Sequence, residues 1–166
     1  MAMTDLPIAG VDLKELTRHD DARGFFQEII RGSDPFFRGF AQLSWCRRDA
    51  GVITAWHFHP NQWDWWFVPH GRIRAVLHDL REGSATRHRT FETELGEGTP
   101  DRVLAIPNGV AHGYKVLDGP MELFYVTSVE YNSKNPDPPI GEEGRIPHDD
   151  PSIGYDWGPR PNVTPR

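Results

Sequence analysis

The 166-residue sequence contains one cysteine, Cys46, and no apolar run long enough to cross a membrane. A single cysteine excludes an intramolecular disulfide and favours a reducing compartment. The opening residues, MAMTDLPIAG, lack a basic stretch followed by an apolar run, so we expect no signal peptide and a cytoplasmic location. The net charge of -6 offers no general attraction for nucleic acid or for a membrane surface, and we expect neither partner.

Helical periodicity is also scarce, whereas glycine and proline are frequent, with 16 and 15 residues. They separate short apolar runs whose period is two; in one of these runs Ile73, Ala75 and Leu77 share a face. Strands are predicted over residues 24–30, 39–47, 64–70, 71–80, 87–93, 102–107 and 121–131. Many short strands between turn signals predict an all-β fold, an antiparallel sandwich or barrel.

The length fits a single domain that covers residues 1–166, and there is no internal repeat or clear linker. Residues from about 1 to 20 are predicted to supply an edge strand. Residues from about 132 to 166 are rich in proline, glycine, aspartate and glutamate, a composition that cannot form a core of its own. We therefore expect this segment to wrap the barrel, with part of it mobile.

The segment 51–71 carries two histidines and a carboxylate at close spacing. His57 and His59 are two residues apart, so on a strand they point to the same face. Asp64 follows a tight turn and begins the returning strand. With His112, from the segment IPNGVAHGY, these residues form a metal-ligand set that suits Zn, Fe, Ni, Mn or Co equally well. The same pattern on a strand can also bind no ion.

The spacing of this segment resembles the first of the two motifs of the cupin superfamily. It reads glycine, five residues, HxH, four residues, Asp64 in place of the usual glutamate, six residues and glycine. The second motif matches at Pro107, Gly109 and His112 and departs at Val116, where asparagine is usual. The resemblance implies a jelly-roll β-barrel, an antiparallel double sheet with few helices, that encloses the site.

Six segments, in order along the chain, resemble those of one cupin family, the dTDP-4-dehydrorhamnose 3,5-epimerases. They are DARGFFQE (21–28), VITAWHF (52–58), GRIRAVLHDLREGSAT (71–86), IPNGVAHGY (106–114), FYVTSVEY (124–131) and EEGRIPHDDPSIGYDW (142–157). This resemblance implies an isomerase of carbohydrate biosynthesis. It would act on a nucleotide-linked 4-keto-6-deoxy sugar by removing a proton next to the ketone, and it would be a homodimer.

The resemblance also implies residue roles. His57 takes the place of the family's base, and Tyr125 takes the place of its acid. The positions that bind the substrate in the family correspond to Arg23, Glu28, Gln42, Ser44, His112 and Glu143. An imidazole suits the base because its ordinary pKa lies near neutrality.

Three positions depart from the family pattern. The arginine that precedes the family's base is Thr54, the lysine that stabilises its enolate is Asp64, and the aspartate that pairs with its base has no counterpart. Two cations are lost, while an imidazole at His59 and a carboxylate are gained. A second hypothesis is therefore a metal-dependent isomerase, lyase or dioxygenase acting on a small oxygenated substrate, in which His57 is a ligand and not the base. A third is a non-catalytic sugar-binding protein.

Overall fold

The structure, a computed structural model, describes residues 6–131 and 144–159. The strands in these ranges are β1 (Asp12–Glu15), β2 (Arg18–Asp21), β3 (Gly24–Gln27), β4 (Gln42–Arg48), β5 (Ile53–Phe58), β6 (Asp64–Asp79), β7 (Thr90–Gly96), β8 (Arg102–Ile106), β9 (Val110–Thr127) and β10 (Gly144–Arg145). All of their pairings are antiparallel, and no helix occurs among the described residues, so the predicted all-β class is confirmed. Accordingly, these ranges contain no helix that could span a membrane.

The two long strands, β6 and β9, form one ladder that runs from the pair Asp64–Thr127 to the pair Asp79–Val110. Register shifts interrupt this ladder between Phe67 and Ile73 of β6. Gly71 lies there with a φ of 68°, and a Cβ atom on it would come within 2.6 Å of Met121 Cα. Only glycine accepts both the positive φ and this close approach, so the glycine permits the ladder to bend.

The bend divides the eight-stranded sheet into two half-sheets. The first half-sheet contains β1, β8, β4, residues 64–70 of β6 and residues 121–127 of β9; the second contains β7, β5, β10, residues 72–79 of β6 and residues 110–118 of β9. Side chains from both half-sheets share the main core, among them Trp66 and Leu123 from the first and Leu77 and Tyr114 from the second. The expected double sheet is therefore present, and its interior lies between the half-sheets.

The outer face of each half-sheet has a cover. Trp157 packs with Trp56 and Val76 on the outside of the second half-sheet, so residues 144–159 of the expected wrapping segment lie on that sheet. The remainder of that segment lies outside the described residues. The loop before β4 places Phe36 against Trp65 on the outside of the first half-sheet. In the N-terminal segment, β1 lies at one end of the sheet order and pairs with β8.

Two strand predictions are corrected by the structure. The predicted strands 64–70 and 71–80 are one strand, β6, because Gly71 bends a paired strand and does not end it. The predicted strand 121–131 is the end of β9, which already begins at Val110. Gly113 within this unpredicted first half of β9 lies where a side chain would collide with Ala55 of the neighbouring strand.

Candidate active site

A buried carboxylate and two imidazoles meet inside the barrel. The Nε2 atoms of His59 and His112 lie 3.3 Å and 3.2 Å from Oδ2 of Asp64. The Asp64 side chain is 4% exposed, and its other oxygen, Oδ1, accepts a hydrogen bond of 2.7 Å from Nε2 of Gln62. One carboxylate oxygen is thus held in place while the other faces both imidazoles.

The bend of the β6–β9 ladder creates this contact. Asp64 pairs with Thr127 in the first half-sheet, whereas His112 pairs with Leu77 in the second, so the two lie at opposite ends of the ladder. They touch because the half-sheets face each other across the interior. Trp66 of the first half-sheet also meets the His112 ring edge-on, with ring centres 5.3 Å apart. The site therefore contains residues from both half-sheets.

The orientation of the His112 ring is fixed by the backbone. Its Nδ1 lies 3.0 Å from the carbonyl oxygen of Val110, and a carbonyl can only accept, so Nδ1 carries the proton that it donates. In the neutral ring, Nε2 then directs a lone pair at Asp64. Either a proton or a cation could lie between this nitrogen and the carboxylate.

His57 lies in the middle of a row of three residues across the second half-sheet. On one side it pairs with His112, and the two rings stack with centres 6.4 Å apart. On the other side it pairs with Arg145 of β10. The row joins the predicted base to the buried histidine cluster and to an arginine.

Burial dominates the electrostatics of this row. It lowers the pKa of His57 to about 3, and the charges of His112 and Arg145 add to the shift. Burial likewise lowers the pKa of His112 to about 4, against the opposing charge of Asp64. Burial works to raise the pKa of Asp64, but the neighbouring imidazoles outweigh it and hold that pKa below its usual value. At neutral pH His57 is therefore an uncharged imidazole, the form that a base requires, and its lowered pKa makes it a weaker base than a free imidazole.

Tyr125 lies on the first half-sheet with two other predicted site residues. It pairs with Ser44 of β4 on one side and with Trp66 of β6 on the other, and it packs against the main core. Gln42 donates a hydrogen bond of 2.8 Å to the Ser44 hydroxyl. Because Trp66 also contacts His112, this group lies on the half-sheet that faces the row containing His57.

The structure does not bring every predicted residue to this cluster. Arg23 lies at the tip of the β2–β3 hairpin with its side chain 89% exposed, and it forms an ion pair with Asp21. Glu28 lies 3.6 Å from Arg31 in the same exposed region. Both make these contacts rather than contacts with the histidine cluster. Glu143 lies outside the described residues.

The predicted four-residue metal set is reduced to three. Among the described residues, His59, Asp64 and His112 each offer a ligand atom, and these atoms lie within 4.8 Å of one another. His57 is not part of this group. A register shift between Thr54 and His57 places the latter directly opposite His112, and β5 ends before His59, so the two histidines do not keep the regular alternation that the sequence suggested.

Sequence reasoning missed two residues of the site. Gln62, which holds Asp64, lies in the turn that looked like a plain connection. Arg145 reaches His57 only through the pairing of β10 with β5, across 88 residues of chain, and spacing along the sequence carries no signal for such a contact. The chemistry of the assembled site is nevertheless clear: a neutral imidazole beside an arginine, facing a tyrosine, next to a polar cluster.

A family model described as dTDP-4-dehydrorhamnose 3,5-epimerase matches residues 5–166. The chain is 45% identical over 151 residues to the spore coat polysaccharide biosynthesis protein SpsL of Bacillus subtilis, a match that covers 90% of this chain and 96% of that protein.

Solved structures share the fold over the same extent. The dTDP-6-deoxy-D-glucose-3,5-epimerase of Legionella pneumophila, solved in complex with dTDP-4-keto-L-rhamnose, is 25% identical with a TM-score of 0.81, covering 99% of this chain and 88% of that one. NovW, a 4-keto-6-deoxy sugar epimerase of Streptomyces spheroides, is 25% identical with a TM-score of 0.84, covering 100% of this chain and 84% of that one.

Proposed function

The chain belongs to the dTDP-4-dehydrorhamnose 3,5-epimerase family, and from that premise we propose that His57 and Tyr125 carry out the proton transfers of its reaction. The protein is an isomerase, an epimerase that acts on a nucleotide-linked 4-keto-6-deoxy sugar. The hypotheses of a lyase, a dioxygenase or a non-catalytic sugar-binding protein are not favoured by this membership. The observation that carries the residue assignment is the position of the half-buried His57 opposite His112 on one half-sheet, with Tyr125 beside Trp66 on the facing one.

The reaction follows from the chemistry of a ketone. A C–H bond next to the C4 carbonyl is weakly acidic because the carbanion is stabilised as an enolate. His57 removes this proton and becomes an imidazolium, while the electron pair moves onto the C4 oxygen. Tyr125 then gives its phenolic proton to the same carbon from the opposite face, which restores the ketone with inverted configuration. Exchange with solvent returns both groups to their starting states.

Deuterium exchange in D2O separates the two roles. Wild-type protein is incubated with dTDP-4-keto-6-deoxyglucose, and deuterium at C3 and C5 is followed by mass spectrometry and NMR. Replacement His57→Asn should reduce exchange by at least about 100-fold, because no base remains. Replacement Tyr125→Phe should leave exchange in place but abolish inversion, because His57 can return a proton only to the face from which it took one.

The matched control is Tyr155→Phe. The Tyr155 hydroxyl donates a hydrogen bond to Glu92 on the outside of the second half-sheet, so its loss should leave both exchange and inversion unchanged. Wild-type exchange rates in the His57→Asn variant would contradict the assignment of the base.

Substrate binding by Gln42, Ser44 and His112 is part of the same proposal. The hydroxyl and amide groups of the first two lie on the strand that pairs with Tyr125, and they suit the hydroxyl groups of a sugar. A cytoplasmic location also remains a proposal, supported by the single free cysteine, Cys46.

A divalent metal ion held by His59, Asp64 and His112 is a second proposal for this site. The separations of 3.2 Å and 3.3 Å between ligand atoms fit ligands that share one ion at about 2.0 to 2.2 Å. The bond from His112 Nδ1 to the Val110 carbonyl is the type of outer contact that orients a metal-bound imidazole. Such an ion would supply positive charge to polarise a ketone. Because His57 lies outside the set, it can act as the base with the ion present.

We also propose a homodimer. The outer face of β4 and β9 exposes large apolar side chains, with Leu43, Trp45 and Phe124 exposed by 56%, 59% and 37%. An exposed apolar patch of this kind typically marks an interface. Arg23 lies on the adjacent exposed hairpin, and Glu28 lies beside it. If a second copy of the chain packs on this side, both residues could contact the substrate bound in the partner's barrel.

A further inference from the structure

We propose that Arg145 is a further catalytic residue, whose guanidinium stabilises the negative charge that develops on the C4 oxygen of the substrate. This inference rests on the proposed epimerase function and names the electrophile of the same site. Thr54 and Asp64 occupy the two positions at which the family resemblance implies a cation, so a side-chain cation for the enolate must come from another position. One of these replacements is itself an anion, which would repel an enolate.

The strand register places Arg145 directly beside His57. Trp56 and Ile146 exchange both of their backbone hydrogen bonds, at 2.9 Å and 3.1 Å, so they form a hydrogen-bonded pair of the antiparallel ladder. The next pair, His57 and Arg145, is therefore of the other type, in which side chains lie closest, with Cβ atoms about 4.5 to 5.5 Å apart.

The alternation of the strands places both side chains on the interior side. Trp56 and Ile146 pack with Trp157 in the cover on the outer face of the second half-sheet. Their neighbours His57 and Arg145 must then project from the opposite face, which is the face of the site.

The charges around His57 also favour Arg145 as the cation of the site. Within the ranges 6–131 and 144–159, the charges of His112, Arg145, His59 and Asp64 act on His57. Among these, only arginine is a cation at every working pH, because its pKa exceeds 12. The Arg145 side chain is also exposed, so its guanidinium can meet a substrate that enters from solvent.

Its place beside the base selects the enolate oxygen as the target. A nucleotide sugar carries two anionic groups in this reaction, the diphosphate and the developing C4 oxyanion. The oxyanion forms on the carbonyl group bonded to the carbon that His57 deprotonates, so a cation adjacent to His57 lies close to it. Electrostatic stabilisation of this kind acts on the transition state more than on the bound substrate.

The test compares Arg145→Ala, Arg145→Lys and the control Arg87→Ala, which removes an arginine from the distant β6–β7 loop. Steady-state kinetics should show kcat reduced by about 100- to 1,000-fold in Arg145→Ala, with KM and the dTDP affinity changed only a few-fold. Deuterium exchange should fall in parallel with kcat. The lysine variant should retain an intermediate rate, and added guanidinium should partly restore the alanine variant.

Two results would overturn the inference while leaving the epimerase function intact. One is a wild-type kcat in Arg145→Ala. The other is a loss confined to KM and dTDP affinity, which would place the guanidinium on the diphosphate. If the wild-type protein shows no exchange at C3 or C5, the proposed function fails first and the inference with it. Circular dichroism of each variant checks folding, and the lysine variant carries the test if the alanine variant does not fold.

Discussion

Asp64 determines the charge of the site, because one of its oxygens faces the imidazoles of both His59 and His112. A carboxylate with 4% of its side chain exposed is stable only when its charge is compensated. Two protonated histidines, one shared proton, or a metal ion could each supply that compensation. Burial lowers the pKa of His112, so a second proton on this ring is disfavoured near neutral pH, and the proposed ion is the alternative that we test.

The metal proposal is tested by loading and mass spectrometry. Apo protein is incubated with Zn, Mn, Fe, Co or Ni, desalted and assayed by inductively coupled plasma mass spectrometry. We expect about one ion per chain in wild-type protein and at least a 10-fold weaker affinity in His59→Ala, because one of three ligands is gone. His57→Asn should keep the ion.

The control for this measurement is His19→Ala, which removes an exposed histidine of the β2–β3 hairpin. Wild-type protein that retains none of the five metals, or His59→Ala that binds as tightly as wild type, would exclude a site at these residues.

Among individual residues, the sequence predicted site residues that lie close together along the chain. It did not predict those that only the fold brings into contact. The HxH pattern and the acid placed His57, His59 and Asp64 near one another, and the structure brings them together with His112. The sequence could not predict that His57 lies outside the ligand set, because its position depends on a register shift in β5. Arg145 was invisible because a contact across a sheet depends on strand order.

At the scale of elements, a buried carboxylate anchors the loop between β6 and β7. Asp79 is fully buried and accepts side-chain hydrogen bonds from Arg81, Ser84 and Thr86, at 2.6 to 2.8 Å. Burial works to raise its pKa, but these donors outweigh it and hold the pKa far below the ordinary 3.8. One residue thus fixes the path of a ten-residue connection.

We predict that Asp79→Asn destabilises the protein by about 3 kcal/mol at pH 7, because the Arg81 charge loses its buried partner. The pKa of Asp79 is lower in the folded than in the unfolded state, so its contribution is complete above the unfolded value near 4 and is lost as the pH falls. Urea unfolding from pH 7 to pH 3 should show the difference between variant and wild type narrowing below pH 4.

Asp21→Asn provides the comparison. The pKa of this carboxyl is also lowered, by its hydrogen bonds with Arg23, but the group is exposed and the pair is accessible to solvent. Its replacement should leave the unfolding curves nearly unchanged. An effect as large as that of Asp79→Asn would mean that burial is not the source of the stabilisation.

Strand existence was predictable, whereas strand length was not. Alternation correctly indicated most strands, but it divided β6 at Gly71, where the glycine bends the strand, and it missed the first half of β9, where Gly113 admits a neighbouring backbone. In the sequence, a glycine that forms a turn cannot be distinguished from a glycine that bends a continuous strand. The difference lies in what packs against it, and that is set by the rest of the fold.

At the scale of the whole molecule, the exposed apolar face of β4 and β9 predicts self-association. Light scattering after gel filtration should give twice the 18.9 kDa of one chain. Trp45→Asp together with Phe124→Asp should raise the dimer Kd by at least about 30-fold, which corresponds to about 2 kcal/mol, because a charge would be buried against the partner. The rings of these two residues stack at 6.3 Å and form the centre of the patch.

The matched surface change is Arg87→Asp, which alters charge on the β6–β7 loop and should not affect the mass. A wild-type mass of one chain at micromolar concentration would rule out the dimer. In that event Arg23 and Glu28 would have no route to a substrate through a partner.

The bend at Gly71 also has a thermodynamic consequence. Asp64 and His112 lie at opposite ends of one ladder, so their contact exists only when both half-sheets are folded and closed on each other. A ligand held between the half-sheets therefore binds only the fully folded barrel, and it does not bind a state in which one half-sheet is unfolded. By mass action, a ligand at 100 times its Kd adds about 2.7 kcal/mol to the unfolding free energy of the whole domain. The melting temperature becomes a gauge of occupancy, and a panel of nucleotides, sugar nucleotides and metal ions can be ranked by it without any turnover.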